Sequence, residues 1–206
     1  MLGSINLTTL LIAETSEKNK DEKEQKEKDQ KDKDAKDKDT DRIDWLKLRA
    51  LVHTAVHFLD NAIDVNHFVS SRLKEATLKT RKIGVGIMGF ADLLFALDVP
   101  YNSDEGVRLA EKVMKVVNEA AVSESVSLAR EKGTFKNWQG SVYEKRGIKR
   151  RNLAVTTIAP TGTIAMVAGC SSGIEPEFAL SFVKNVVDEA GLTYVNEHFR
   201  RAVETS

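Results

Sequence analysis

The chain has 206 residues, the length of one domain, and 41% of them are hydrophobic, which is enough to bury a core. Lys plus Arg and Asp plus Glu both number 31, so the net charge gives no reason to expect binding to nucleic acid or to an anionic membrane. The single cysteine, Cys170, excludes an intrachain disulfide and a multi-cysteine metal site. Met1 to Ala13 lacks a signal-peptide pattern and no apolar run could span a membrane, so we expect a soluble, cytoplasmic protein.

A charged tract divides the chain into three parts. From Ser16 to Arg42, 21 of 27 residues are charged, 11 acidic and 10 basic, and none is a large apolar residue. Such a stretch cannot bury enough surface to offset its ordering entropy, which predicts a disordered or loosely helical insertion. Its balanced charge argues against a nucleic-acid arm. We therefore expect a short amino-terminal segment (1–15), the insertion (16–42) and a main unit (43–206).

Two long helices are predicted after the tract. Asp44 can cap the first, whose apolar residues recur at steps of three and four from Leu48 to Ile63. Ser103 can cap the second, which continues with the same spacing as far as Gly133, a natural helix C-cap. Both patterns are typical of amphipathic helices that bury one face.

Short buried strands are predicted in the rest of the chain. Residues 153–158 form an apolar, β-branched run that ends just before Pro160, and further strands are plausible at 179–183 and 192–195. Helices and short strands therefore alternate, which favours an α/β fold with a largely covered sheet.

A glycine-rich segment, Ile83 to Phe90, matches the G-x-G-x-x-G spacing of dinucleotide-binding loops at Gly84, Gly86 and Gly89. That function requires a full hydrophobic strand immediately before the loop. The residues before Ile83 are instead Thr80, Arg81 and Lys82, so close packing of a strand and a helix explains the glycines better than a nicotinamide cofactor does.

The segment Pro160-Thr161-Gly162-Thr163-Ile164 is a candidate phosphate site. A predicted strand ends there and a short apolar helix is expected to follow. Gly162 lets the backbone approach a ligand without a Cβ in the way, while Thr161 and Thr163 add hydroxyl donors beside free backbone amides. An ordinary Thr-capped turn accounts for the same residues equally well on local grounds, so both interpretations stay open at this point.

The remaining reactive side chains favour structural interpretations. No base lies within the motif around Cys170 to lower the pKa of its thiol, so a small buried residue is favoured over a nucleophile or radical carrier. His53 and His57 are four residues apart on a predicted helix, but the H-E-x-x-H pattern and a third metal ligand are missing. We therefore predict no metal site.

Five segments in fixed order resemble ribonucleotide reductase large chains, and the likeness spans the whole chain except the charged tract. The form of the last two is most similar to the adenosylcobalamin-dependent class. The segments are Leu2-Gly-Ser-Ile-Asn-Leu, Phe58-Leu-Asp-Asn-Ala-Ile-Asp-Val-Asn, Arg81-Lys-Ile-Gly-Val-Gly-Ile-Met-Gly-Phe-Ala-Asp, Ile158-Ala-Pro-Thr-Gly-Thr-Ile and Cys170-Ser-Ser-Gly-Ile-Glu-Pro.

The resemblance implies the carboxy-terminal half of a ten-stranded α/β barrel, in which a cysteine thiyl radical removes the 3′ hydrogen of a ribonucleotide and adenosylcobalamin is the cofactor. By position, Pro160, Thr161, Gly162, Thr163 and Ile164 correspond to the family's segment that holds the substrate phosphates. The glycine block is a packing element in that family, and Cys170 does not match its radical site.

The chain also departs from the family pattern. The Asn-Pro-Cys-Gly-Glu segment with the radical cysteine would lie upstream of Leu2, so we assign no catalytic residue here and expect the chain to be inactive without that missing half. Unpaired strand edges would favour self-association, with a homo-oligomer as one form. A non-catalytic module that binds nucleotide phosphates is the alternative function.

Overall fold

The computed structural model describes residues 1–12, 42–185 and 191–204. Their helices and strands, in chain order, are β1 (Leu2–Asn6), α1 (Trp45–Val65), α2 (Ser71–Thr80), β2 (Gly84–Met88), α3 (Phe90–Ala96), α4 (Asp104–Lys132), α5 (Val142–Lys145), α6 (Gly162–Ala168), β3 (Ser181–Asn185), β4 (Gly191–Val195) and α7 (Glu197–Glu204). Short 3-10 helices cover Leu7–Leu10 and Lys136–Trp138.

The two long predicted helices are confirmed, together with their caps. The Asp44 carboxylate accepts the Lys47 N–H at 2.8 Å at the start of α1. The Ser103 hydroxyl accepts the Gly106 N–H at 3.0 Å at the start of α4, and Gly133 ends that helix with φ +81°. Each cap satisfies a backbone group that the helix leaves without an internal partner.

The hydrophobic core lies where α1 and α4 pack together and against the parallel pair β1–β2. All five residues of β2 are buried, as expected for a strand covered on both faces. The pairing runs from Leu2 opposite Gly84 to Asn6 opposite Met88. The fully buried side chains include Leu48, Val52 and Val56 of α1, Val113 and Val117 of α4, and Val85 and Ile87 of β2.

The expected strand over 153–158 is right only in part. The Val85 N–H donates to the Val155 carbonyl at 2.8 Å and the Thr157 N–H donates to the Val85 carbonyl at 3.1 Å, so this segment runs alongside β2. However, the Ile83 N–H bonds the Ala154 carbonyl, which shifts the spacing of acceptors by one residue and breaks the regular ladder. Only an isolated bridge from Val85 to Thr156 results.

The two later strands form an antiparallel hairpin, with Ser181 opposite Val195 and Asn185 opposite Gly191. The α/β class is therefore confirmed as a mixture of helices and short strands. The residues that the structure describes hold two separate two-stranded sheets, and the ten-stranded barrel stays a prediction.

The charged tract begins and ends at one place in the fold. Residues 13–41 lie outside the described residues, and with them nearly all of the predicted insertion 16–42. The described residues on either side meet: the Ile12 N–H donates to the Arg42 carbonyl at 2.8 Å, and Leu11 forms an antiparallel bridge with Ile43. This geometry is what an insertion into a surface connection requires.

Candidate functional site

Two glycines of the G-x-G-x-x-G match, Gly84 and Gly86, lie in β2 rather than in a loop, and the third, Gly89, is the N-cap of α3. A Cβ on Gly86 would come within 2.6 Å of the Thr157 carbonyl oxygen, and a Cβ on Gly84 within 2.6 Å of Thr157 Cγ2. Both positions therefore admit the neighbouring segment 153–157 at a distance that no larger residue allows. The packing interpretation of these glycines is confirmed, and the dinucleotide loop is excluded by geometry.

The close approach at β2 fixes where the Pro160–Ile164 turn begins, because segment 153–157 leads directly into it. The turn lies at the surface: Thr161 is half-buried, while Gly162, Thr163 and Ile164 are exposed. A Cβ added to Gly162 would meet no atom within 4 Å, so the space above this residue is open.

The backbone amides of the turn are available to a ligand. The described residues provide no hydrogen-bond acceptor for the N–H groups of Gly162, Thr163 or Ile164. The first N–H that is bonded within the helix is that of Ala165, which donates to the Thr161 carbonyl at 2.8 Å. Thr161 itself has φ +57°, a left-handed conformation that non-glycine residues adopt at a cost of about 1 kcal/mol or more.

A loop over residues 169–173, the supporting loop, packs against this turn. The Gly173 N–H donates to Thr161 Oγ1 at 2.7 Å, and the Cys170 N–H donates to the Ala165 carbonyl at 3.0 Å. Gly173 has φ +49°, and a Cβ there would lie 2.7 Å from the Ala159 carbonyl oxygen. The backbone of this supporting loop is therefore in direct contact with the proposed site.

The supporting loop is held in turn by a buried carboxylate on α3. Asp92 is 4% exposed, and its Oδ2 accepts the Ser171 N–H at 2.6 Å. The Asn196 amide donates to Asp92 Oδ1 at 3.2 Å and to Glu177 Oε1 at 2.9 Å. Among the described residues, Asp92 is hydrogen-bonded to the Ser171 and Asn196 N–H groups and to the Glu177 carboxyl group, and it forms no ion pair with a cationic side chain.

The sequence analysis missed this carboxylate cluster. A signal was present, because Asp92 is the only charged residue in the run from Ile83 to Leu97. A charged side chain inside an apolar helix is rarely buried without specific partners, so its position alone marks it as a candidate. What the sequence does not reveal is the identity of those partners.

The cluster shifts two neighbouring titrations. Burial raises the pKa of Glu177, and the negative charge of Asp92 raises it further. Burial also raises the pKa of the Cys170 thiol to about 11, with added contributions from Asp92 and Glu177. Cys170 is 9% exposed and therefore stays a neutral thiol at physiological pH. The expectation that it is a small buried residue is confirmed.

A second buried network joins α1 to the start of β2. Asp60, on α1, is fully buried and accepts Arg81 Nε at 2.9 Å and Asn152 Nδ2 at 2.8 Å. Arg81 also makes a two-pronged contact with Asp64 at 2.7 and 3.0 Å. Burial alone would raise the pKa of Asp60, but the hydrogen bond and charge of Arg81 lower it on balance. This network fixes the entry to β2, and Asp60 at its centre is fully buried.

The histidine pair contacts a carboxylate. His53 Nδ1 lies 2.8 Å from Glu124 Oε2 and His57 Nδ1 lies 3.6 Å from Glu124 Oε1, which links α1 to α4. Both imidazoles are nearly half exposed. Within the described ranges, no group of three potential ligands could hold a metal ion. Among the helices of the described ranges, none is long and apolar enough to cross a bilayer.

A cavity of about 570 Å³ lies between the end of α3 and residues 176–180. Its lining is largely apolar and includes Phe95, Tyr101 and Phe178, with Asp98 and Glu177 as its acidic members. The Tyr101 hydroxyl donates to the Ile174 carbonyl at 2.6 Å and so ties the end of α3 to the segment after the supporting loop.

The glycine block, the surface turn and its supporting loop occur in a chain whose sequence matches one family model throughout. The model is that of the ribonucleotide reductase barrel domain, and it matches residues 1–150 and 144–206. The chain belongs to this family. The resemblance drawn from the five segments is thereby confirmed.

Individual relatives agree with that membership. This chain is 52% identical over 158 residues to a vitamin B12-dependent ribonucleoside-diphosphate reductase of Thermoplasma acidophilum, covering 77% of this chain and 21% of that protein. It is 46% identical over 160 residues to the protein of the same name from Mycobacterium tuberculosis, covering 78% and 23%. A ribonucleoside-diphosphate reductase subunit alpha of Chlamydia muridarum is 31% identical over 182 residues, covering 70% and 17%.

Two further points follow from these relatives. The greater similarity to the two proteins named vitamin B12-dependent agrees with the class that the sequence segments indicate. The chain spans about a fifth of the length of the curated relatives that it matches.

Proposed function

We propose that this chain forms part of the catalytic barrel of a ribonucleotide reductase, which converts ribonucleoside diphosphates to 2′-deoxyribonucleotides by radical chemistry. Within it, the turn Pro160-Thr161-Gly162-Thr163-Ile164 holds the substrate phosphates. Membership of the barrel-domain family supports the reaction, and the names of the relatives support a diphosphate substrate. The enzyme would act in the cytoplasm.

The observation that carries the proposal is the set of open amides in this turn. Three consecutive N–H groups, those of Gly162, Thr163 and Ile164, have no hydrogen-bond acceptor among the described residues, and these three residues are exposed. Consecutive amides without partners form a concave donor set that suits phosphate oxygens. Because Gly162 has no Cβ and no neighbour within 4 Å, a phosphate can approach the backbone directly.

The hydroxyl of Thr161 adds a fourth donor. Its oxygen already accepts the Gly173 N–H at 2.7 Å, which leaves the hydroxyl hydrogen free to point toward a ligand. A hydroxyl that accepts one hydrogen bond is polarised and donates more strongly to an anion. The turn therefore binds a phosphate through neutral donors.

The proposal assigns this chain a binding role and no catalytic residue or metal ligand. The complete enzyme would use adenosylcobalamin, as the family resemblance implies, and the names of two relatives say that they depend on vitamin B12. The cavity of about 570 Å³ beside α3 has a largely apolar lining without histidine, so it offers no imidazole ligand for a cobalt ion. We therefore assign no step of the reaction to cofactor contacts in this chain.

We also propose that the described strands are part of the larger ten-stranded barrel. β1 pairs with β2 along one edge, and its other edge has no partner among the described residues. An open parallel edge of this kind needs a further strand to satisfy its backbone groups. The missing amino-terminal half of the reductase would supply that strand, and self-association through the same edge would give a homo-oligomer.

The test is a Gly162→Val substitution in the complete reductase. The new side chain fills space that is open in the fold, so it should block the phosphate without disturbing packing. We expect the KM for a ribonucleoside diphosphate to rise about tenfold or more, with an unchanged melting temperature. Ala168→Val is the matched control, because it adds similar bulk at an exposed position at the far end of α6. An unchanged KM in Gly162→Val would refute the role of the turn.

A further inference from the structure

We propose that Asp92 is a positioning residue for substrate binding: it holds the supporting loop 169–173, and through that loop it sets the geometry of the phosphate turn. This inference rests on the proposed function of the turn. Asp92 does not reach the turn itself, and its effect passes through the backbone of Ser171 and Gly173.

The supporting loop is attached to α3 through Ser171. Asp92 Oδ2 accepts the Ser171 N–H at 2.6 Å, and the Ser171 carbonyl accepts the Gly89 N–H at 2.8 Å. The Asp92 N–H lies 3.4 Å from Ser171 Oγ, which adds a weaker contact. Ser171 is thus held on both its amide and its carbonyl by the β2–α3 junction, whose residues from Gly84 to Leu94 are all buried.

Gly173, two residues after Ser171, joins the supporting loop to the turn. The Gly173 N–H donates to Thr161 Oγ1, and the position of a Gly173 Cβ would lie 2.7 Å from the Ala159 carbonyl oxygen. A shift of the loop would therefore move the Thr161 hydroxyl directly. It would also leave the left-handed backbone at Thr161 without the contact that holds it in that conformation.

The carboxylate is required for this role, and an amide is a poor substitute. Both Asp92 oxygens accept hydrogen bonds, one from Ser171 and one from the Asn196 side chain. The Asn196 amide cannot simply flip, because its Oδ1 accepts the Phe199 N–H at 3.1 Å. An asparagine at position 92 would therefore place a donor against a donor at one of the two contacts.

The two roles available to Asp92 give different kinetic results. If it positions the phosphate turn, Asp92→Ala weakens binding that is equal in the ground state and the transition state, so KM rises while kcat stays nearly constant. If it only stabilises the fold, the melting temperature and the active fraction fall, and KM for the surviving enzyme is unchanged. The split between KM and kcat therefore separates the two.

The experiment measures KM, kcat and melting temperature in the complete reductase for Asp92→Ala, Asp92→Asn and the control Asp98→Asn. We expect KM for a ribonucleoside diphosphate to rise about tenfold in Asp92→Ala and about threefold in Asp92→Asn, which retains one of the two contacts. Asp98 is exposed, lies just beyond α3 and makes no contact with the loop, so its variant should match the wild type. If Asp92→Ala does not fold, the isosteric Asp92→Asn carries the test.

The outcomes distinguish this inference from the function on which it rests. A raised KM in Gly162→Val together with a wild-type KM in both Asp92 variants overturns the positioning role and leaves the phosphate turn intact. A wild-type KM in Gly162→Val overturns the phosphate turn and the positioning role with it. In an Asp92→Ala, Thr161→Ala double variant, we expect the two effects on KM to be less than additive, and full additivity contradicts a shared path.

Discussion

Replacing Gly86 by alanine places a methyl group 2.6 Å from the Thr157 carbonyl oxygen, about 0.8 Å short of the 3.4 Å at which ordinary contact begins. The obstacle is backbone and cannot rotate away, so segment 153–157 must move. Its two hydrogen bonds to Val85, at 2.8 and 3.1 Å, would then lengthen beyond the bonding range. Two lost bonds at about 0.5–1.5 kcal/mol each correspond to about 1–3 kcal/mol, the usual range for overpacking.

Two other glycines provide the controls. A Cβ on Gly3 would lie 3.6 Å from Leu59 Cδ1, which is ordinary contact, so Gly3→Ala should be neutral or stabilise by about 0.4–1 kcal/mol through the unfolded chain. A Cβ on Gly84 would meet side-chain atoms of Thr157 and Leu2 at 2.6–2.9 Å, which can partly yield, so Gly84→Ala should be intermediate. Gly86→Ala should melt about 2–10 °C below the wild type.

The assay is thermal denaturation of the three variants and the wild type at one scan rate, since a large reductase does not unfold as a simple two-state system. The expected order of melting temperatures, from highest to lowest, is Gly3→Ala, then Gly84→Ala, then Gly86→Ala. A Gly86→Ala variant that melts with the wild type would refute the close-approach account of the glycine block.

Three further predictions concern the acidic cluster and the charged tract. Cys170 should react with iodoacetamide at pH 8 about 200-fold more slowly than a free cysteine, because a thiol with a pKa of about 11 is almost wholly protonated at that pH. The rate of alkylation can be followed by peptide mass spectrometry, and a rate near that of a free cysteine would contradict the burial of Cys170. The raised pKa of Glu177 means that its contribution to stability is present below the ordinary glutamate pKa and is lost as pH rises through the folded-state value. Glu177→Gln should therefore melt above the wild type at pH 8, with a smaller difference at pH 5, and the reverse trend would contradict the raised pKa of Glu177. Replacing 13–41 by Asn-Gly should leave the melting temperature within about 2 °C, because the flanking residues already form an antiparallel bridge that a two-residue turn can close; a large loss would mean that the tract contributes to the fold.

The features that could be predicted from the sequence are those whose causes lie close together along the chain. The α1 and α4 helices follow from apolar spacing and from caps within three residues of each end, at Asp44, Ser103 and Gly133. The short helix after the turn and the hairpin near the carboxyl end follow from equally local signals. Periodicity and capping depend on neighbours, so one sequence contains them in full.

The structure of segment 153–158 shows where local reasoning fails. Its composition is that of a buried strand, yet Ile158 is 45% exposed and the ladder with β2 is broken after Ala154. Whether an apolar run forms a regular strand depends on the register with its neighbour and on a partner for its second edge. Neither of these is encoded in the run itself.

The carboxylate at position 92 and the turn that it is proposed to position illustrate the same limit in function. Asp92 and its contact Ser171 are 79 residues apart, and Thr161 meets Gly173 through a hydrogen bond that joins two loops. Each residue is ordinary within its own segment, and only their juxtaposition connects α3 to the turn. Contacts of this length are absent from local patterns because they arise from the fold as a whole.

The glycine block, Gly84 to Gly89, contacts both segment 153–157 and the supporting loop. Gly84 and Gly86 lack side chains, which lets segment 153–157 lie directly against β2, and Gly89, with φ +76°, lies 3.4 Å from Cys170 Cβ at the position of its missing Cβ. The same short stretch therefore sets how closely two parts of the chain approach the β2–α3 junction: the segment that leads into the turn and the supporting loop. A side chain at Gly86 would displace the first, and the Gly89 N–H holds the second by donating to the Ser171 carbonyl at 2.8 Å. Because the turn has fixed contacts on both sides, we expect substrate affinity to be sensitive to changes in β2 that never contact the substrate.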